Sequence, residues 1–100
     1  MTTLDLFQTM CRYNAWMNQK IYAVCETIPD AVRREDKGAP FCSIHGTLNH
    51  LLLTDRIWLG RFLQQPFAFQ SLSQELFHDF AELRREREAT DELCTNIFIR

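Results

Sequence analysis

Phe7, Met10, Asn14, Met17, Ile21, Val24 and Ile28 recur at steps of three and four residues, the spacing that gathers side chains on one face of an α-helix. A long first helix is predicted. Thr2-x-x-Asp5 supplies its start, because a hydroxyl and a carboxylate three residues apart can each accept from the other's backbone N–H. Pro29 closes it, since proline disfavours helical geometry in the residue ahead of it. Asn14 is the polar member of an otherwise apolar seam.

Residues 29–42, PDAVRREDKGAPFC, mix two prolines and Gly38 with charges and read as a connecting loop. Ser43 then offers an N-cap oxygen for a second helix running to about Leu63, before Pro66 breaks the chain. Gly46 and Gly60 cost some helicity, which the apolar density outweighs. Ser71 and Ser73, followed by Gln74 and Glu75, mark the start of a third helix carrying Leu76, Phe80, Leu83 and Leu93. NIFIR at the end is short, apolar and β-branched. With no strand alternation and no repeat, the fold class is all-α, an up-down helical bundle in a single domain over residues 1–100.

The second helix carries the informative conflict. At 100° per residue from His50, the residues Leu48, Leu51, Leu52, Trp58, Leu59, Phe62 and Leu63 occupy an arc from about 80° to 220°. This arc is predicted to be the main buried face. Thr47, His50, Thr54 and Arg61 form a narrow polar stripe, while Asp55 falls near 140°, inside the apolar arc. A carboxylate there must find donors. The nearest neutral donors on another helix lie in YNAW, Tyr13–Trp16, so Asp55 is expected to accept from Asn14 or Trp16 and to lock the two helices in register. The pattern favours this anchor over a catalytic or metal role, because buried polar networks more often specify packing.

Composition narrows the function classes. The chain has 100 residues, 46% hydrophobic and 24% charged, with a formal charge of −2, which describes a domain able to bury a core and lacking a field that attracts nucleic acid. The densest charge run, RRERE at Arg84–Glu88, alternates sign and reads as a solvated helix face. No segment approaches a membrane span, and MTTLDLFQTM lacks the features of a signal peptide. Cys11, Cys25, Cys42 and Cys94 are scattered without a C-x-x-C, which predicts reduced core thiols in a cytoplasmic protein. Cys42 close to His45 is a weak nucleophile hint.

Local metal chelation fails on spacing. His45 and His50, like His50 and Asp55, are five residues apart and so turn about 140° away from each other on a helix. Neither pair shares a face. His78, beside Asp79, reads as a surface residue.

The segments YNAWMNQKIY, SIHGTLNHLLLTDRIWLGRF and FHDFAELRREREATDEL together resemble the DinB/YfiT-like family of metal-dependent enzymes. The resemblance implies a four-helix bundle, commonly a homodimer, that holds a divalent metal such as zinc or nickel on three histidines. It assigns His50, in TLNHLLLTD, to the first metal ligand. The family's H-x-x-x-H pair on a fourth helix has no counterpart in this sequence, and neither His45 nor His78 matches it. The expectation is therefore a truncated bundle whose metal site is incomplete, inactive in this form as a hydrolase or thiol transferase on a small molecule. Thr47, Thr54, Trp58 and Arg61 are candidates to line the cleft around His50. An apolar stripe is expected where the fourth helix would lie, predicting a homodimer or a poorly soluble monomer. The competing reading is a non-enzymatic helical dimerisation module.

Overall fold

The computed structural model describes residues 2–97. Three long helices form, α1 (Thr3–Glu26), α3 (Ile44–Phe62) and α4 (Phe80–Ile97), with a single turn, α2 (Asp30–Arg33), between the first two. Among the described residues no strand forms, so the all-α expectation holds.

The two predicted helix starts are built as the sequence indicated. Thr2 Oγ1 accepts from Asp5 N at 3.1 Å while Asp5 Oδ2 accepts from Thr2 N at 3.0 Å, a reciprocal pair that satisfies two otherwise orphaned N–H groups. Ser43 Oγ accepts from Gly46 N at 2.9 Å. Gly46 is required there, because a Cβ at this position would lie 2.1 Å from the Phe41 carbonyl oxygen.

The third helix starts later than expected. Residues 63–79 lie outside any helix, and α4 opens at Phe80 with Asp79 Oδ2 accepting from Glu82 N at 2.9 Å. The cause is Asn49, 1% exposed, which takes the backbone that a helix over 74–79 would need for itself. Its Oδ1 accepts from Leu76 N at 2.8 Å and Phe77 N at 2.9 Å, and its Nδ2 donates to the carbonyls of Phe77 and His45. A buried amide thereby outcompetes a weak helix start.

Contacts along the helices fix their directions. On α1 and α4, Cys11 meets Cys94, Asn18 meets Asp91 and Glu26 meets Arg84, so these two run antiparallel. On α3 and α4, Asn49 meets the chain at Phe77 just before α4, while Asp55 and Arg56 meet Arg87 and Glu86, so these two run parallel. A parallel pair needs a long return. Residues 65–77 supply it, running back along α3 from Gly60, where an added Cβ would lie 2.7 Å from Gln65 O, to His45, whose Nε2 is 3.1 Å from Phe77 O.

The core lies where the three helices and this return meet: Tyr22 and Cys25 from α1, Leu48 and Leu52 from α3, and Leu83 from α4, with Leu76, Phe77 and Phe80 packed on them. Two expectations about faces are corrected. The α1 seam expected inward is largely outward, with Met10 and Val24 exposed and Cys11, Tyr22 and Cys25 buried in its place. On α3, Leu48 and Leu52 of the predicted arc are buried, but burial extends to His45, Asn49, Leu53, Ile57 and Gly60 and leaves Trp58 66% exposed together with Leu51 and Phe62. Both errors share a cause. The return chain covers a further flank of α3, where the apolar Leu53 and Ile57 are buried, and apolar residues of α1 and α3 remain uncovered on the opposite flank.

The expectation of four reduced thiols is also corrected. Cys11 and Cys94 form a disulfide across 83 residues of sequence with Cα atoms 5.8 Å apart, while Cys25 and Cys42 are free. Spacing could not reveal a pair that only the antiparallel docking of α1 and α4 brings together. No described helix is long and apolar enough to cross a membrane.

Candidate functional site around His50

His50 sits on α3 facing two connecting segments. Its ring stacks on Phe41 at 3.7 Å between centroids and 15° between planes, and its Nδ1 lies 2.7 Å from the carbonyl oxygen of Leu72. A carbonyl only accepts, so Nδ1 carries a proton, and in the neutral ring Nε2 holds the lone pair. Histidines that ligate metals are commonly oriented in this way through the other ring nitrogen. The His50 ring is thus walled by Phe41 from the loop before α3 and Leu72 from the return after it.

The predicted cleft residues divide. Thr54, Trp58 and Arg61 line a cavity of 360 Å³ with Ile57, Phe69 and Leu72, of which His50 is not a lining residue, and the guanidinium of Arg61 stacks over Trp58 at 5.1 Å. Thr47 is not part of it. Its hydroxyl donates to Ser43 O at 2.9 Å, as that of Thr54 does to Leu51 O at 2.9 Å, so both hydroxyls serve their own helix.

Asp55 belongs to a second, polar cluster. Asn14 Nδ2 donates to Asp55 Oδ2 at 3.3 Å, one of the two donors that sequence reasoning named. Trp16 takes no part: it is half exposed, beside Tyr13, with the Lys20 ammonium 4.3 Å from its ring centroid. The principal partner is Arg87, which donates through Nη2 to Asp55 and through Nη2 and Nε to Asp91 Oδ1 at 2.6 and 3.0 Å. Arg87 is buried, and although burial disfavours its charge, the hydrogen bonds and charges of Asp91 and Asp55 hold its proton more tightly than usual. Asn18 Nδ2 completes the cluster at 3.0 Å from Asp91 Oδ2.

Arg87 was missed because the run RRERE was read as uniformly solvated, and with it its partner Asp91, three residues beyond the run. A usable signal existed, since Arg87 stands four residues after Leu83 and four before Asp91, on the buried face of its helix.

A third cluster surrounds His45, which is buried. Its Nε2 lies 2.8 Å from Glu75 Oε1 and 3.1 Å from Phe77 O. Both are acceptors, so this nitrogen carries the proton, and desolvation with the nearby Arg34 lowers the pKa from its ordinary value. His45 is therefore neutral at pH 7, and its contact with Glu75 is a hydrogen bond between a neutral ring and a carboxylate. His78, exposed, touches Glu75 and Arg34. Cys42 lies exposed at φ 68°, while the His45 imidazole is committed elsewhere, so no Cys–His nucleophile pair is formed.

The family model of the DinB family matches residues 1–97. The chain belongs to the DinB family. No curated protein and no solved structure gives a significant match. Measured against the metal that DinB membership implies, the donor set falls short: among the described residues no group of three His, Cys, Asp or Glu side chains could hold a metal ion. His50 has the chemistry of one ligand, and tight binding of a transition metal requires three or four. The described residues of this DinB chain alone do not fit the metal.

Proposed function

We propose that His50 is one ligand of a divalent-metal centre, zinc or nickel, whose other ligands come from a partner subunit. On this reading the chain alone turns over no substrate, and hydrolase or thiol-transferase activity on a small molecule belongs to a completed assembly, with a homodimer as the simplest case. The observation that carries the reading is the fixed tautomer of His50: Nδ1 is held 2.7 Å from Leu72 O, leaving Nε2 as the lone-pair donor. The DinB match over residues 1–97 supports it.

The test is metal content after gentle purification, read beside light scattering. Zinc or nickel retained by an associated species, and lost in His50→Ala and also in His50→Asn, supports the reading. The asparagine variant matters because its amide can keep the bond to Leu72 while lacking Nε2. Absence of metal from every species would overturn the reading.

A second reading, a non-enzymatic association module, is favoured by a separate observation. Met10, Tyr13 and Trp58 are more than half exposed and border an apolar cleft of 880 Å³, and exposed apolar surface of this kind promotes association. Metal-free dimers with His50→Ala unchanged would establish it.

A further inference from the structure

Both cysteines of the disulfide line the 880 Å³ apolar cleft, beneath Met10, Tyr13, Trp58 and Leu59. The two sulfurs are not equivalent. Cys11 is buried, whereas Cys94 is half-buried and also borders a recess of 130 Å³ shared with Asp55, Arg87 and Asp91. Two carboxylates against one guanidinium make that recess net negative. Negative charge disfavours an emerging thiolate at Cys94 and, among attacking thiolates, disfavours those whose body carries further negative charge.

We propose that the Cys11–Cys94 pair is a thiol–disulfide exchange site whose co-reactant is an uncharged thiol with an apolar body, seated in the cleft against Tyr13 and Trp58. The inference is independent of the metal reading. The incoming thiolate attacks Sγ of Cys94, the less buried of the two residues. A mixed disulfide forms as the Cys11–Cys94 bond breaks, and the electron pair leaves on Cys11, which takes up a proton. A second thiol then attacks the mixed disulfide, releasing the co-reactant as its own disulfide and Cys94 as a thiol. Two co-reactant thiols are oxidised by two electrons in total, and the cysteine pair is reduced. Reduction unties the C-terminal half of α4 from the N-terminal half of α1, the edge of the cleft itself.

The experiment uses the full chain after air oxidation. Benzyl mercaptan and glutathione are compared as reductants in native buffer and in denaturant, with acid quenching, alkylation and peptide mapping that separates Cys11 and Cys94 from Cys25 and Cys42. Relative to glutathione, benzyl mercaptan is expected to act about tenfold faster on the native protein than on the denatured one, the scale expected from covering part of an aromatic ring. Its mixed disulfide should appear on Cys94. Trp58→Ala and Tyr13→Ala, both changes at exposed positions, should each bring the native preference towards the denatured value.

Equal preferences in the native and denatured protein, a mixed disulfide on Cys11, or Cys11 and Cys94 recovered as free thiols after air oxidation would each overturn the proposal. A native preference that survives both substitutions would do the same.

Discussion

Replacing Arg87 by methionine separates two accounts of the charged helix by a measurable free energy. If Arg87 were one of several solvated charges, its loss would change stability by no more than about 0.5 kcal/mol. The structure places it otherwise. Its side chain is 3% exposed, and that of Asp91 is 6% exposed, so methionine strands a buried carboxylate. Removing one member of a buried pair costs about 3–5 kcal/mol. The lower end applies here, because Asn18 still donates to Asp91. Asp55 adds little: its side chain is 37% exposed, and solvent screens a pair of that kind to roughly 1 kcal/mol or less.

The expected destabilisation by Arg87→Met is therefore about 3 kcal/mol, measured by urea unfolding. Far-UV circular dichroism is the appropriate signal, since both tryptophans are more than half exposed and their emission would report packing poorly. The decisive comparison is the double variant Arg87→Met/Asp91→Asn. With no stranded charge, it should be more stable than Arg87→Met alone by about 1–2 kcal/mol, a coupling expected of residues in contact. A double variant whose losses simply add, or a single variant within about 1 kcal/mol of the wild type, would refute the assignment of Arg87 as the buried partner of Asp91.

Three further outcomes follow from other parts of the fold. Asn49→Leu leaves the N–H groups of Leu76 and Phe77 without their partner and should cost about 2–4 kcal/mol, with hydrogen exchange rising first at those two amides. Stability should fall with acidification in a way that traces to His45. Its folded pKa is below the ordinary 6.5, so the unfolded chain takes up the proton first, and stability present above 6.5 is lost as pH falls towards the folded value; the difference between wild type and His45→Gln, followed by urea titrations across that window, should show this loss. Cys94→Ser opens an 83-residue loop and should cost about 4–5 kcal/mol on the chain-entropy account, and a thermal midpoint that responds to reductant in the wild type should not respond in the variant.

What the sequence disclosed depended on whether the physics was local. The start of α1 was legible because a capping box closes within four residues, and that of α3 because Ser43 reaches its own first turn. Asp55 was legible as a conflict, a charge on an apolar arc, and Asn14 followed from counting donors. Arg87 was hidden by its neighbours: a window that averages RRERE sees alternating charge, although Arg87 lies inside and Arg85 outside. The start of α4 was misplaced because Ser71, Ser73 and Glu75 carry an acceptable local signal that Asn49, more than twenty residues away, overrides. The disulfide was illegible for the same reason. It follows from the direction in which α4 docks, and that direction is set by the return of residues 65–77.

The same distinction bears on the site. His50 is held by Leu72 and Phe41, and Leu72 is placed by a return chain that Asn49 and His45 pin four to five residues further on. Arg87 belongs to another cluster, joining α4 to α3 through Asp55 and fixing Asp91, which Asn18 of α1 also holds. Imidazole orientation and helix docking therefore rest on different residues. Loss of Arg87 acts on the whole fold, and while the fold persists the imidazole keeps its tautomer. Loss of Asn49 acts on the return chain, and the imidazole is released to rotate within an otherwise docked trio of helices. Any ligand that needs Nε2 of His50 in one direction is thus served by a buried amide one residue away, which touches neither the ligand nor the histidine ring and works only through the backbone of residues 72–77.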